Sequence, residues 1–416
     1  MFFFYQIILS ILILFSPIIF IYRFFKNKEN KISFYEKFCF TSKKRGVGNI
    51  IWFHGASVGE ILSIIPLIEK YEKQKSIKKI LITSSTLSSS KIISKLKFKK
   101  IVHQFYPIDY FFFTKKFLYY WKPKLAIFVD SEIWPAMFNE IDKKKIPLIL
   151  LNARITKKTF NRWIKLKKFA QSIFSKILVC YPQNLETKFY LKKLKAKKIV
   201  EIGNLKFIEN DYRKQVLSDK KFISRFKNNK VWVASSTHKN EEIFCTMAHL
   251  ELKKKIKNLI TIIIPRHVHR VKEIVKDIEN LGLNITLHSS NNSSLKNKDI
   301  YIVDTFGETK KFHEIASSVF LGGSIISRGG QNPLEAARFG ARILHGPNID
   351  NFKDVYKLLK FLKISKQINS SKKLASLISF KKNKNKALKI KKIGRKIFNK
   401  TVIEIDNLIN NELKKT

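Results

Sequence analysis

Three features of this 416-residue chain have residue types and spacing that can do chemistry: a carboxylate behind a glycine turn, cations placed after apolar runs, and a second glycine-rich turn. The carboxylate is Glu60, which ends IWFHGASVGE (Ile51–Glu60). The pattern reads as strand, Gly/Ser turn and helix start, with the acid at the strand's carboxyl end. There it either only complements the helix dipole or acts as a general base on an attacking hydroxyl. Sugar transfer with inversion needs one such base. The second turn lies in VFLGGSIISRGGQNPLE (Val319–Glu335). Its glycines admit a ligand close to the backbone or serve the turn's own geometry, and Pro333 suits a first helical turn. A nucleotide phosphate on helix N–H groups, with Glu335 accepting from ribose hydroxyls, is the chemistry expected there. The spacing matches neither the dinucleotide nor the Walker pattern, which disfavours hydride transfer and ATP hydrolysis.

Other polar clusters also follow apolar runs. Asp130-Ser131-Glu132 precedes Trp134-Pro135, and two acids with a tryptophan at a strand end suggest site architecture or a structural cap. Asn152-Ala153-Arg154 and Gly203-Asn204-Leu205-Lys206-Phe207 make Arg154 and Lys206 candidate anion holders. Ser235–His238 with Glu241-Glu242 reads as a capped strand-to-helix turn. Arg266, in Pro265-Arg266-His267, can grip a phosphate bidentately. Asp304-Thr305-Phe306-Gly307-Glu308 follows another run. His238 and His267 lack the carboxylate or cysteine that would complete a recognisable metal set. Cys39, Cys180 and Cys245 are far apart, which fits a reducing compartment and argues against disulfides or zinc.

Positioning these groups requires alternating strands and helices. Short apolar runs separated by lysine-rich amphipathic stretches predict parallel strands with crossover helices. Strands are expected at 50–54, 79–83, 101–105, 124–129, 147–151, 177–181 and 198–202, then at 231–234, 259–264, 284–287, 300–303, 319–321 and 341–344. The rhythm breaks at the polar stretch 209–230, so two α/β halves are expected, with the ligand at strand ends in a cleft. The expected organisation is a membrane anchor (1–22), an acceptor-binding Rossmann-like domain (23–210), a linker (211–230), a nucleotide-sugar-binding Rossmann-like domain (231–400) and a helix or tail (401–416). Lys372 to Lys396 reads as a solvated helix face.

The first 22 residues carry no charge and are followed by Arg23, Lys26 and Lys28. As one helix they would reach about 33 Å, enough for a bilayer core. The cations after the span favour a cytoplasmic body, and Pro17 is placed to kink the helix. Lys plus Arg (82) exceed Asp plus Glu (31), for a net charge of +51. Lysine dominates without an aromatic-studded motif, which disfavours nucleic acid and leaves compositional drift or attraction to anionic lipid.

In order along the chain, these segments resemble the Kdo transferases, which add 3-deoxy-D-manno-octulosonic acid (Kdo) to a lipid A precursor. The motifs are WFHGASVGE, TSST (Thr83–Thr86), YPID (Tyr106–Asp109), DSEIWP, NARI, GNLKF, ASSTH, IIIPRH, DTFGE, GGSIISRGGQNPLEA and HGPNIDNF (His345–Phe352). The resemblance implies an α/β GT-B fold of two Rossmann-like domains facing a cleft, with an N-terminal membrane-anchor helix. It implies a CMP-Kdo donor, lipid IVA as acceptor, the cytoplasmic face of an inner membrane, inversion, and no metal or other cofactor. It places the base on Glu60 and transition-state stabilisers on Asp130 and Lys206. CMP contacts are implied at Pro265, Arg266, Phe306, Gly307, Glu308, Asn332, Pro333, Leu334 and Glu335. This chain departs from the family pattern at Asp130, where glutamate is usual, and at Ser89, Ile208, Thr309 and Gln331. A transferase using a UDP-sugar is the alternative.

Overall fold

The computed structural model describes residues 1–41, 43–208, 220–290 and 295–413. The chain forms two compact units, Met1–Tyr212 with Gly394–Thr416, and Arg213–Ile393. The expected linker at 211–230 falls partly outside the described residues.

In the first unit, six parallel strands are β1 (Ile50–His54), β2 (Lys79–Ser84), β3 (Ile101–Phe105), β4 (Leu125–Val129), β5 (Leu148–Ala153) and β6 (Val179–Pro182). Their order is β3-β2-β1-β4-β5-β6. The strand order therefore reverses between β1 and β4, which pair in register with His54 opposite Phe128. Open sheets of this kind bind ligands outside the carboxyl ends of strands at such a reversal. β1 and β4 are buried along their whole length, as strands covered on both faces must be. Trp52, Phe117, Trp121, Phe128 and Phe138 fill one side of the sheet.

The second unit has seven parallel strands: β7 (Lys230–Thr237), β8 (Leu259–Pro265), β9 (Ile285–Leu287), β10 (Ile300–Ile302), β11 (Ser318–Leu321), β12 (Arg342–His345) and β13 (Ser365–Gln367). Their order, β13-β12-β11-β7-β8-β10-β9, reverses between β7 and β11. Trp232, Phe320 and Ile263 are core residues there.

Three expectations are corrected. The strand expected at 198–202 forms only a bridge between Ile199 and Cys180. Gly203, at φ +103°, turns the chain away immediately afterwards. The boundary expected at 400 falls inside one helix, Lys384–Leu413, which groups with the first unit from Gly394 onward. Its residues Ile397, Thr401, Ile405 and Ile409 are buried at a spacing of four, one face of a helix that lysines on the other faces obscure. Gly394 is required there, because a Cβ would lie 2.2 Å from the Phe207 carbonyl oxygen.

Finally, no single helix among the described residues is long and apolar enough to cross a membrane. The expected span is two helices, Phe2–Leu14 and Ser16–Phe25, bent by 53°. Pro17 sits at the start of the second, where its missing N–H and ring interrupt the helical ladder. The first of these helices is tied to the body: Tyr5 donates to Asp109 Oδ2 (2.7 Å), and Gln6 Oε1 accepts from the Phe111 N–H (3.1 Å).

Candidate active site

Glu60 is the third residue of the helix Val58–Glu72, which starts directly after β1. Its carboxylate folds back over the turn. Oε2 accepts from the Ala56 N–H (2.7 Å) and Oε1 from the Ser57 hydroxyl (2.7 Å). Ser89 closes the same turn from the next helix, its hydroxyl donating to the Ala56 carbonyl (3.1 Å). The departure at Ser89 thus braces the backbone that holds Glu60. Burial, then the charges of Glu132 and Asp130, push the Glu60 carboxyl from 4.5 up to about 7, against the two hydrogen bonds that favour its ionised form.

Glu132 follows β4 and belongs to a chain of side chains running back into the core. Trp52 Nε1 donates to Thr83 Oγ1 (2.8 Å), which faces His54 Nδ1 (2.9 Å). His54 Nε2 faces Glu132 Oε2 (3.2 Å), which also accepts from Trp134 Nε1 (2.9 Å). One assignment satisfies every atom: the Thr83 hydroxyl donates to Nδ1, and Nε2–H donates to Glu132. Burial lowers the His54 pKa, in keeping with this neutral tautomer.

Asp130 is buried and adopts φ +64°, a left-handed conformation uncommon for a non-glycine residue. Its backbone is held between β5 and the turn beyond it: its N–H donates to Leu151 O (3.0 Å) and its carbonyl accepts from the Arg154 N–H (3.1 Å). Strain of this kind, fixed by surrounding structure, concentrates at functional sites. Burial raises the Asp130 pKa, and the nearby Lys206 and Arg154 oppose the rise. Lys206 lies in the short turn Leu205–Phe207, capped by Asn204. The buried Asn152, also left-handed at φ +54°, accepts the Leu205 N–H on its Oδ1 (2.9 Å). Glu60, Asp130 and Lys206 therefore all lie beyond the carboxyl ends of neighbouring strands, around the reversal between β1 and β4. Ile208 is buried, and the Gly394 Cβ position is 3.5 Å from its Cα, so this departure packs beneath the C-terminal helix.

In the second unit, the expected nucleotide contacts follow three strands of one sheet. Pro265 ends β8, and Arg266 follows it, exposed, its N–H donating to Thr237 O (2.9 Å). After β10, Phe306 is 79 % exposed and Gly307 has φ +88°. Glu308 is engaged by Lys311 (2.6 Å), His288 (2.9 Å) and the Thr305 hydroxyl. Beyond β11, Asn332 Oδ1 accepts the Leu334 N–H (3.0 Å), and Pro333 caps the short helix Leu334–Arg338 containing Glu335.

The first half of the glycine turn is held by a side chain of the same unit. Glu241, wholly buried, accepts Gly323 N–H (2.6 Å) and His238 N–H (3.0 Å) on Oε2, and Ser324 N–H (3.1 Å) and Ile325 N–H (3.0 Å) on Oε1. The N–H groups at the start of this turn are thus taken by the protein's own carboxylate, nearly ten residues before the helix start at 332–334 where a phosphate is expected. Gly322 is there for chain packing, since a Cβ would meet Ser236 O at 2.3 Å. Sequence reasoning read Glu241 only as part of a capped turn and gave Glu132 and His54 no separate task.

Among the described residues, no group of three or more His, Cys, Asp or Glu has a metal-holding arrangement, and the three cysteines are buried and free.

The sequence comparisons point to one family. The family model described as 3-Deoxy-D-manno-octulosonic-acid transferase (kdotransferase) matches residues 30–209. The 3-deoxy-D-manno-octulosonic acid transferase of Rickettsia prowazekii is 38 % identical over 346 residues, 82 % of this chain and 74 % of that protein. That of Rickettsia bellii is 36 % identical over 389 residues, covering 92 % of this chain and 91 % of the relative. Among solved structures, Anabaena HepE in complex with UDP and glucose has a TM-score of 0.52 at 12 % identity, covering 88 % of this chain and all (100 %) of that one. UDP-GlcNAc 2-epimerase from Neisseria meningitidis has a TM-score of 0.51 at 13 % identity, covering 89 % and 100 %. These structures show the fold alone: two parallel-sheet α/β domains with GT-B glycosyltransferases among their neighbours. The sequence relatives show more, and by them this chain belongs to the 3-deoxy-D-manno-octulosonic acid (Kdo) transferase family.

Proposed function

We propose that this chain transfers Kdo from CMP-Kdo to a lipid A precursor, with inversion and release of CMP. A hydroxyl of the lipid attacks the anomeric carbon, its proton passes to Glu60, and the carbon–oxygen bond to phosphate breaks with its electron pair leaving on CMP. The observation that carries this reading is Glu60: a half-buried carboxylate at the β1–β4 reversal, with its pKa pushed to about 7. A base is most effective when its pKa lies near the working pH, and neighbouring carboxylates are the means of raising it. Asp130 is assigned to positive charge developing at the anomeric carbon and Lys206 to negative charge developing on the leaving phosphate, electrostatic help of the kind that contributes most to many enzymes. In the second unit, Arg266 and the 332–335 segment take the phosphate, and the exposed ring of Phe306 stacks on the base.

The acceptor is a lipid, and the chain has a face suited to a bilayer. Phe3, Phe4, Ile8, Leu14, Ile18 and Phe25 are exposed along the bent N-terminal pair, and Phe111 and Phe112 beside it are exposed as well. We place the body at the cytoplasmic face of the inner membrane, held there by this pair. Purified protein offered CMP-Kdo and UDP-sugars in parallel tests the donor: transfer is expected from CMP-Kdo alone, and transfer from a UDP-sugar would overturn the assignment.

A further inference from the structure

A cavity of about 560 Å³ in the second unit lies beside the β7–β11 reversal, lined by His238, His267, His269, Arg270, Arg328 and their neighbours. None of the expected CMP contacts lines it. The chain's cations are overwhelmingly lysine, with twelve arginines and nine histidines in all. Three of those histidines and two of those arginines line this one cavity, so compositional drift does not account for it.

The cations there divide into two sets. Arg270 is neutralised by Glu242 (2.9 Å) and Glu273 (3.4 Å), and Lys239 by Glu273 (3.3 Å). By contrast, the side chains of Arg328, Arg266 and His267 have no hydrogen-bond or ion-pair partner among the described residues. His238 Nε2 is buried without a partner, 3.4 Å from where a Cβ on Gly323 would stand, with Arg328 Cβ 3.3 Å from the same point. His238 sits 5.7 Å from the His267 ring, centroid to centroid. Burial lowers the His238 pKa; Glu241 opposes this, and the charges of His267, Arg328 and Arg266 reinforce it. The imidazole is then a neutral N–H donor among uncompensated cations. Such a cluster is self-repelling when empty and is relieved by a small anion.

We propose that His238 and Arg328, with His267 at the rim, bind the carboxylate of the donor sugar. This rests on the reading of the donor as CMP-Kdo. An octulosonic acid carries its carboxylate on the anomeric carbon itself, the atom that also bears the phosphate ester. The two anions must therefore bind side by side, and Arg266 and His267 are consecutive in the chain. Selection of an acidic sugar over a neutral one follows from this pocket, because a neutral sugar leaves its cations uncompensated.

The test uses full-length protein in detergent with Arg328→Gln, His238→Ala, the double variant and Arg328→Lys as a charge-retaining control. Loss of charge-assisted bonds to a carboxylate is expected to raise the KM for CMP-Kdo about 10- to 100-fold in the double variant. CMP affinity by calorimetry and the acceptor KM are expected to stay at wild-type values, and Arg328→Lys is expected to retain most of the donor affinity. A parallel loss of CMP affinity would assign the cluster to the nucleotide, and a rise in acceptor KM alone would assign it to an anion of the lipid. Either result, or unchanged kinetics in the double variant, overturns the proposal while leaving the donor reading intact. Wild-type protein that fails to use CMP-Kdo at all overturns the donor reading, and this proposal with it.

Discussion

Glu132→Gln tests the electrostatics around the base without touching it. In the folded protein, the Glu60 carboxyl lies at about 7 rather than the ordinary 4.5, a difference equivalent to about 3 kcal/mol against ionisation. Burial is the largest cause, the Glu132 charge the next, and Asp130 a smaller one, while Ser57 and Ala56 pull the other way. Glutamine keeps an oxygen to accept from Trp134 but removes the like charge. The pKa of Glu60 is then expected to fall below its wild-type value while staying above 4.5, because burial remains. A general base works only when deprotonated, so kcat/KM rises with pH through this pKa. At pH 6 about a tenth of wild-type Glu60 is ionised, so relative activity at that pH has room for roughly a tenfold gain. The assay is kcat/KM from pH 5 to 9, normalised to the plateau, for wild type and variant. A limb that stays in place, or moves up, refutes the coupling between Glu132 and the base. The same shift has a fixed sign for stability. Glu60 holds its proton more tightly folded than unfolded, so its contribution is full below pH 4.5 and lost as pH rises through about 7. The melting temperature of Glu60→Gln should accordingly gain on wild type across that interval.

Other residues give sharper yes-or-no outcomes. Glu241→Gln turns one oxygen, which accepts two N–H groups, into a donor facing donors; at about 1.5 kcal/mol or more per lost bond, the second unit should lose about 3 kcal/mol, several degrees in melting temperature, together with CMP affinity. Phe306→Ala removes an exposed ring with little structural role, so CMP should bind about tenfold more weakly by calorimetry while melting stays unchanged. Deleting residues 1–25 should leave CMP binding intact but move the protein from the vesicle pellet to the supernatant in a co-sedimentation assay.

Much of this architecture was legible because parallel strands buried on both faces leave continuous apolar runs. The runs at 50–54 and 259–264 could be read directly, whereas β13, Ser-Lys-Gln with two exposed residues, has no such run. Lys206 stands behind an expected strand at 198–202 that forms only a bridge, whereas Glu60 and Asp130 were visible because each follows a strand end closely in sequence. The hydrogen bonds of Glu241 were not, since its partners at 323–325 are more than eighty residues away, and a Gly-rich turn looks the same whether ligand or protein fills it. Likewise, the C-terminal helix carries its buried stripe among lysines, and only the fold shows that it returns to the first unit. Pro17 did announce the break in the N-terminal helix, though its 53° bend has no sequence signature.

The central claim is that Glu60 is the base for transfer of Kdo to lipid. Full-length wild type and Glu60→Gln, each incubated with CMP-Kdo and lipid A precursor, should be compared by product mass. The account predicts that wild type adds Kdo to the lipid and releases CMP, while Glu60→Gln binds CMP normally and loses transfer by about 100-fold or more. Substantial transfer surviving in Glu60→Gln, or wild type leaving the lipid's mass unchanged, would contradict it.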